Sequence, residues 1–69
     1  MFECKMHWDG MIDHNGHIEV RSGIHIIRAE NKKEAIKHAT QFFMSGAFIN
    51  YDALLENEND NFVFLMESE

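Results

Sequence analysis

Four histidines, His7, His14, His17 and His25, fall in the first half of the chain, and Cys4 stands just ahead of them. These are the side chains that ligate transition metals and carry protons near neutral pH. Zinc needs three or four such ligands in tetrahedral array at about 2 Å, and the spacing here fits no finger or protease pattern. Strand alternation would set His7 and His25 diagonally on one outward face, a pair that makes a histidine metal site one alternative. The reading adopted is ordinary exposed histidines, with no metal and no cofactor. Cys4 beside a histidine, or Ser22 with His25 and Asp9, supplies the residue types of a nucleophile and its base. Both nucleophiles fall on inward strand positions, where a free cysteine is usually a small hydrophobe.

Acidic residues provide a second candidate. Glu56, Glu58, Asp60 and Glu67 occupy the first, third, fifth and twelfth positions of a calcium-binding loop. The frame is wrong, because Asn61 stands at the glycine position and Phe62 to Met66 reads as a strand where a helix should leave. Lys32, Lys33 and Lys37, with Arg28 nearby, form a basic run on a solvated helix face, near the helix start where the dipole disfavours cations. No glycine-rich phosphate loop follows a strand, and a core this small leaves little room for a substrate pocket. The protein reads as not an enzyme.

The elements that position these groups follow from periodicity. Asn31 is a helix N-cap, with Glu34 three residues on as its capping-box partner, so the helix starts at Lys32. Ala35, Ile36, Ala39, Phe42 and Phe43 then form one apolar stripe, and Gly46 should close the helix in a left-handed conformation. Before it lie two alternating strands. The first puts Phe2, Cys4, Met6, Trp8, Gly10 and Ile12 on one face and Glu3, Lys5, His7, Asp9, Met11 and Asp13 on the other. The second puts Ile18, Val20, Ser22, Ile24 and Ile26 inward, with Glu19, Arg21, Gly23, His25 and Ile27 outward. Asn15-Gly16 signals a hairpin whose default is a two-residue loop. That default would set the two inward rows on different faces, so a three-residue loop His14-Asn15-Gly16 is expected, with Asp13 facing His17 and Asp9 facing Arg21.

Ala47 to Leu55 reads as a short extended piece and then a helical turn begun at Asp52. Glu56 to Asn61 reads as a loop, and Phe62 to Met66 as the last strand. The expected architecture is an α+β domain over residues 1–69, ββαβ, with sheet order 2-1-3 and one helix on one face. The last strand would run parallel to the second and beside the first.

Size and charge bound the function. The chain has 69 residues, 45% of them apolar, enough for one small core and too apolar for disorder. A formal charge of -6 argues against direct nucleic-acid binding, which needs cationic neutralisation of phosphate. One cysteine, and neither a leader nor a long apolar run, make a reducing cytoplasm the expected setting, away from membranes.

The run Ile27-Arg28-Ala29-Glu30-Asn31-Lys32-Lys33-Glu34-Ala35-Ile36, followed by Gly46 and the acidic Asp52 region, resembles the strand-to-helix segment of the small DpnD/PcfM-like proteins of bacteria and their mobile elements. The resemblance covers the middle third to half of the chain. It implies a ββαβ-type domain with an accessory role, and it transfers no catalytic residue.

The functional expectation is a non-enzymatic protein-binding module, phage- or plasmid-encoded, docking on a host protein or complex, with an anti-CRISPR-type inhibitor as one example. Its candidate surfaces are the outward sheet residues Lys5, His7, Asp9, Met11, Glu19, Arg21 and Ile27, or the acidic tip Glu56, Glu58 and Asp60. The alternative is a self-associating structural or accessory protein, a homodimer formed through the outer sheet face or the Phe62 to Met66 edge.

Overall fold

Apolar and polar side chains alternate from Phe2 to Ile12, and this period of two builds the central strand, β1 (Phe2–His14). In the computed structural model, which describes residues 1–46 and 48–68, the chain continues through β2 (His17–Ala29), α1 (Lys32–Met44), β3 (Phe48–Asn57) and β4 (Phe62–Glu67). Neighbouring strands are all antiparallel, in the order β2-β1-β3-β4. The fold is α+β as expected, but ββαββ with four strands instead of ββαβ with three.

The extra strand comes from the segment read as an extended piece plus a helical turn. Tyr51, Ala53 and Leu55 alternate with Asp52, Leu54 and Glu56, and Ala53 and Leu55 are buried. Pairing on both sides satisfies the backbone of this segment, so Asp52 caps nothing. Ala47, the first residue of the expected extended piece, lies outside the described residues, as does Glu69. A strand parallel to β2 does lie beside β1, but it is β3, and the last strand adds outside it. The expected loop shrinks accordingly to residues 58–61, where Asn57 Oδ1 accepts from the Asp60 N–H at 2.9 Å.

The hairpin is a two-residue loop, not the expected three-residue one. His14 pairs with His17, and Asn15 and Gly16 have φ of 53° and 90°, positive at both loop positions as a two-residue type I′ turn requires. Asp13 Oδ1 accepts from the Gly16 N–H at 2.9 Å. Asp9 therefore meets Ser22, and Gly10 meets Arg21. The whole of β2 is turned over relative to expectation: Ile27 and Ala29 are buried, while Ile18, Val20, Ile24 and Ile26 are exposed. Packing on the helix side explains why the less aliphatic row goes in. Gly23 lies opposite Trp8, and a Cβ there would stand 3.2 Å from the indole Nε1. His25 lays its ring on Phe42 with centroids 4.5 Å apart.

α1 begins at Lys32 as read, with Asn31 Oδ1 accepting from the Glu34 N–H at 2.9 Å. Its far end differs. Ser45 closes the helix through its N–H to the Gln41 carbonyl at 3.0 Å and its hydroxyl to the Phe42 carbonyl at 3.1 Å. Gly46 is not left-handed; a Cβ on it would lie 3.1 Å from the Phe48 ring, so close approach explains the glycine. Ala35, Ala39 and Phe43 face Cys4, Met6, Ile27 and Leu55 in the core. Met6 and Leu55 pair directly, and both are fully buried. Trp8, Phe42, Phe43 and Phe48 pack edge to face around them, and Phe43 stacks on Tyr51 at 4.0 Å.

Candidate docking face of the sheet

Residues directly opposite one another in an antiparallel sheet share a face, so the register assigns every side chain to the helix side or to the open side. Four cross-strand rows make up the open face. Ile26, Lys5, Glu56 and Val63 form one, and Ile24, His7, Leu54 and Leu65 the next. Ser22, Asp9, Asp52 and Glu67 form the third, with Val20, Met11 and Asn50 beyond it. Because α1 packs on the other side, the apolar members stay in solvent: Ile24 is 62% exposed, Val20 69% and Leu65 74%. Together with Ile18, Ile26 and Val63 they line the two outer strands of this face and flank the charged residues of β1 and β3, and exposed apolar side chains grouped in this way mark an interaction surface.

A shallow trough of about 630 Å³ crosses the middle of this face, lined by His7, Asp9, Ile24, Asp52, Leu65 and Glu67 among others. His7 Nε2 lies 2.8 Å from Glu56 Oε1 across β1 and β3. The carboxylates of Asp9, Asp52 and Glu67 follow one another on three adjacent strands. Among the described residues none of them joins an ion pair, and like charges directly opposite are unfavourable in a sheet. The open face as a whole sets Glu3, Asp9, Asp13, Asp52, Glu56 and Glu67 against Lys5 and Arg28, a net of four negative charges. Asn57 belongs to the framework beneath: buried in β3, its side-chain amide donates to the Glu3 carbonyl.

The expected site residues divide in three. Lys5, His7, Asp9, Met11 and Glu56 are on the open face. Glu19, Arg21 and Ile27 are not, since the two-residue hairpin turns them to the helix side. Ile27 is a core residue, 7% exposed, and is excluded as a docking contact. Glu19 binds Arg21 at 2.8 Å and His14 at 3.0 Å; the hydrogen bond from Arg21 holds its carboxyl below the usual range, and the nearby charges of Arg21 and His14 add to this. Glu58 and Asp60 sit on the β3–β4 turn, exposed and apart from the face. The face also contains residues that the sequence reading had placed in the core, Ile18, Val20, Ile24 and Ile26, and others it had not singled out, Leu54, Val63 and Leu65. Two signals could have found them: the preference of Asn-Gly for a two-residue loop, and the aromatic residues Phe62 and Phe64 alternating with Val63 and Leu65.

The chemical candidates come apart in space. His7 is on the open face and His25 on the helix side against Phe42, so the two cannot share a metal ion. Ser22 and His25 likewise face opposite ways. Cys4 is buried in the core, and burial first, with the Glu3 carboxylate second, pushes its thiol above the ordinary value. Glu56 and Glu67 belong to paired strands, not to a loop that could wrap an ion. No group of three or more metal-ligating side chains occurs among the described residues, and no helix among them is long and apolar enough to cross a membrane. No family model, curated protein or solved structure matches the chain.

Proposed function

We propose that the protein is a non-enzymatic binding module that docks on a partner protein through the open face of its sheet. The supporting observation is the composition of that face: Ile24 and Leu65 stand exposed, with half-buried Leu54 between them, beside the carboxylates of Asp9, Asp52 and Glu67. Covering the apolar side chains supplies affinity, roughly 25 cal/mol per Å² removed from water. The carboxylates supply orientation and speed of encounter. The complementary surface carries Lys or Arg among apolar side chains, whereas a phosphate backbone is repelled.

The reading extends to an accessory protein of a phage or plasmid acting on a host complex in the cytoplasm, an anti-CRISPR-type inhibitor being one form. The small acidic domain and the resemblance of the Ile27 to Ile36 joint to DpnD/PcfM-like proteins support it. Cys4 is buried in the core and Ser22 faces away from His25, which supports a role without catalysis.

The test is capture from nuclease-treated lysate with wild-type protein, Leu65→Lys, Asp52→Lys and a Glu58→Lys control on the turn. A stoichiometric partner kept by wild type and the control, lost by the two face variants, and cross-linked to the face through its own lysines is the expected result. Equal capture by all four proteins, or recovery of the bait alone from a lysate containing the target, refutes it.

A further inference from the structure

The sheet has two edges, and they differ. β4 is six residues long and ends in Glu67, opposite Asp52, an acidic end that discourages pairing. β2 presents 13 residues in unbroken register with β1, without bulge or proline to protect the edge, and its charged side chains are already paired within the chain, Arg21 with Glu19 and Arg28 with Glu3. The two-residue loop makes His14 and His17 a hydrogen-bonded pair, so odd residues of β2 bond to β1. The backbone N–H and C=O groups of Ile18, Val20, Ser22, Ile24 and Ile26 therefore point out of the sheet. Among the described residues no turn or cap hydrogen bond reaches them.

We infer that a second copy of this chain pairs antiparallel with β2 along this edge, about a two-fold axis through Ser22, to give one continuous sheet. The strand is self-complementary about that residue. Ile18 then lies opposite Ile26 of the second copy and Val20 opposite its Ile24, β-branched pairs that stabilise a sheet. On the helix side Glu19 meets His25 of the second copy. Sliding the pairing one step either way sets Ile18 against Arg28 or Arg21 against itself, and both are worse. Charge allows the same edge. The chain carries -6 overall, but β2 holds Glu19 against Arg21 and Arg28, a net of +1, so the strong negative charge of the molecule is not concentrated at this edge. Pairing also joins the two open faces into one surface, which goes beyond the docking reading and does not depend on it.

Sedimentation equilibrium over a wide concentration range, with engineered cysteines, tests the inference. Wild type associates to two chains. Ser22→Pro removes an outward donor and no bond to β1, and it weakens association at least about tenfold while Trp8 fluorescence stays native. Ser22→Cys oxidises to a covalent dimer, because Cα atoms in a hydrogen-bonded pair lie about 5.5 Å apart, within disulfide reach. Val20→Cys alone does not, its two copies being about 14 Å apart, yet a mixture of Val20→Cys with Ile24→Cys does. Cys4 is buried and stays out of the reaction. A mass of one chain at every concentration overturns the inference, as does Val20→Cys cross-linking as readily as Ser22→Cys. Leu65→Lys, on the far edge, leaves association intact, which separates this result from the docking test.

Discussion

Ile26 and Ile27 are neighbours of identical chemistry on opposite faces, and truncating each to alanine tests the register directly. Ile27 is 7% exposed and packs beneath α1, so Ile27→Ala removes buried methyl groups and leaves a cavity, at a cost of about 3 kcal/mol. Ile26 is 49% exposed, so Ile26→Ala loses roughly half the transfer energy and opens no cavity, about 1 kcal/mol. The β-propensity change is common to both variants and cancels. The remaining difference of about 2 kcal/mol corresponds to roughly 8–16 °C in Tm for a domain of this size. Against a total stability of roughly 3–5 kcal/mol, Ile27→Ala stands at the limit of folding. Urea titration followed by Trp8 fluorescence is the assay, because the indole packs on Phe42 at 5.1 Å and Phe48 at 5.6 Å and loses both contacts on unfolding. An unchanged slope with denaturant shows that the midpoint shift is a stability change. If, at concentrations where the protein is a single chain, Ile26→Ala costs as much as Ile27→Ala, or more, the three-residue hairpin is right and the open face is wrong.

Three other outcomes follow from single contacts. Gly10→Ala places a Cβ 2.8 Å from the Phe48 ring and 3.1 Å from the Asn50 carbonyl, and should cost about 1–3 kcal/mol in the same titration; a neutral effect would show that Phe48 moves freely. Asn31→Ala removes the cap on Glu34 N–H and should cost about 1 kcal/mol, with Asn31→Asp restoring most of it. The Cys4 thiol titrates higher in the folded chain than in the unfolded one, so above the unfolded value only the unfolded state gains thiolate, and stability falls as pH rises. Urea midpoints from neutral to alkaline pH should show that slope in wild type and lose it in Cys4→Ala; equal slopes would refute it.

What could be read from the sequence was local. Asn31 and Glu34 mark the helix start because a cap is a contact within one turn, and Phe2 through Ile12 reveal their inward row by alternation alone. β2 defeated the same method because both of its rows hold aliphatic residues. Counting isoleucine and valine favoured the even row, while the factors that decide it, a glycine under Trp8 and a histidine ring on Phe42, are contacts between elements far apart in sequence. An inward even row is incompatible with the two-residue loop that Asn-Gly prefers, and it puts Ile27 in solvent. β3 was missed for a similar reason: Ala53 and Leu55 make a short apolar alternation whose stability comes from pairing with β1 and β4. The open face was half legible, in the charged row of β1, and its apolar half appeared only with the register.

β1 is the central strand, yet its two neighbours are reached at very different points in the chain: β2 across a two-residue turn, β3 only after the whole of α1. A ribosome delivers them in that order. Hairpin and helix are complete by residue 46, with one edge of β1 still unfilled and Met6 without its partner Leu55. At typical elongation rates the next dozen residues take roughly a second, long compared with hairpin closure. For that interval the strand destined for the middle of the sheet is an open edge beside an exposed apolar surface. Any folding intermediate in which hairpin and helix form before β3 docks therefore presents the middle strand as an unpaired edge, a template for aggregation.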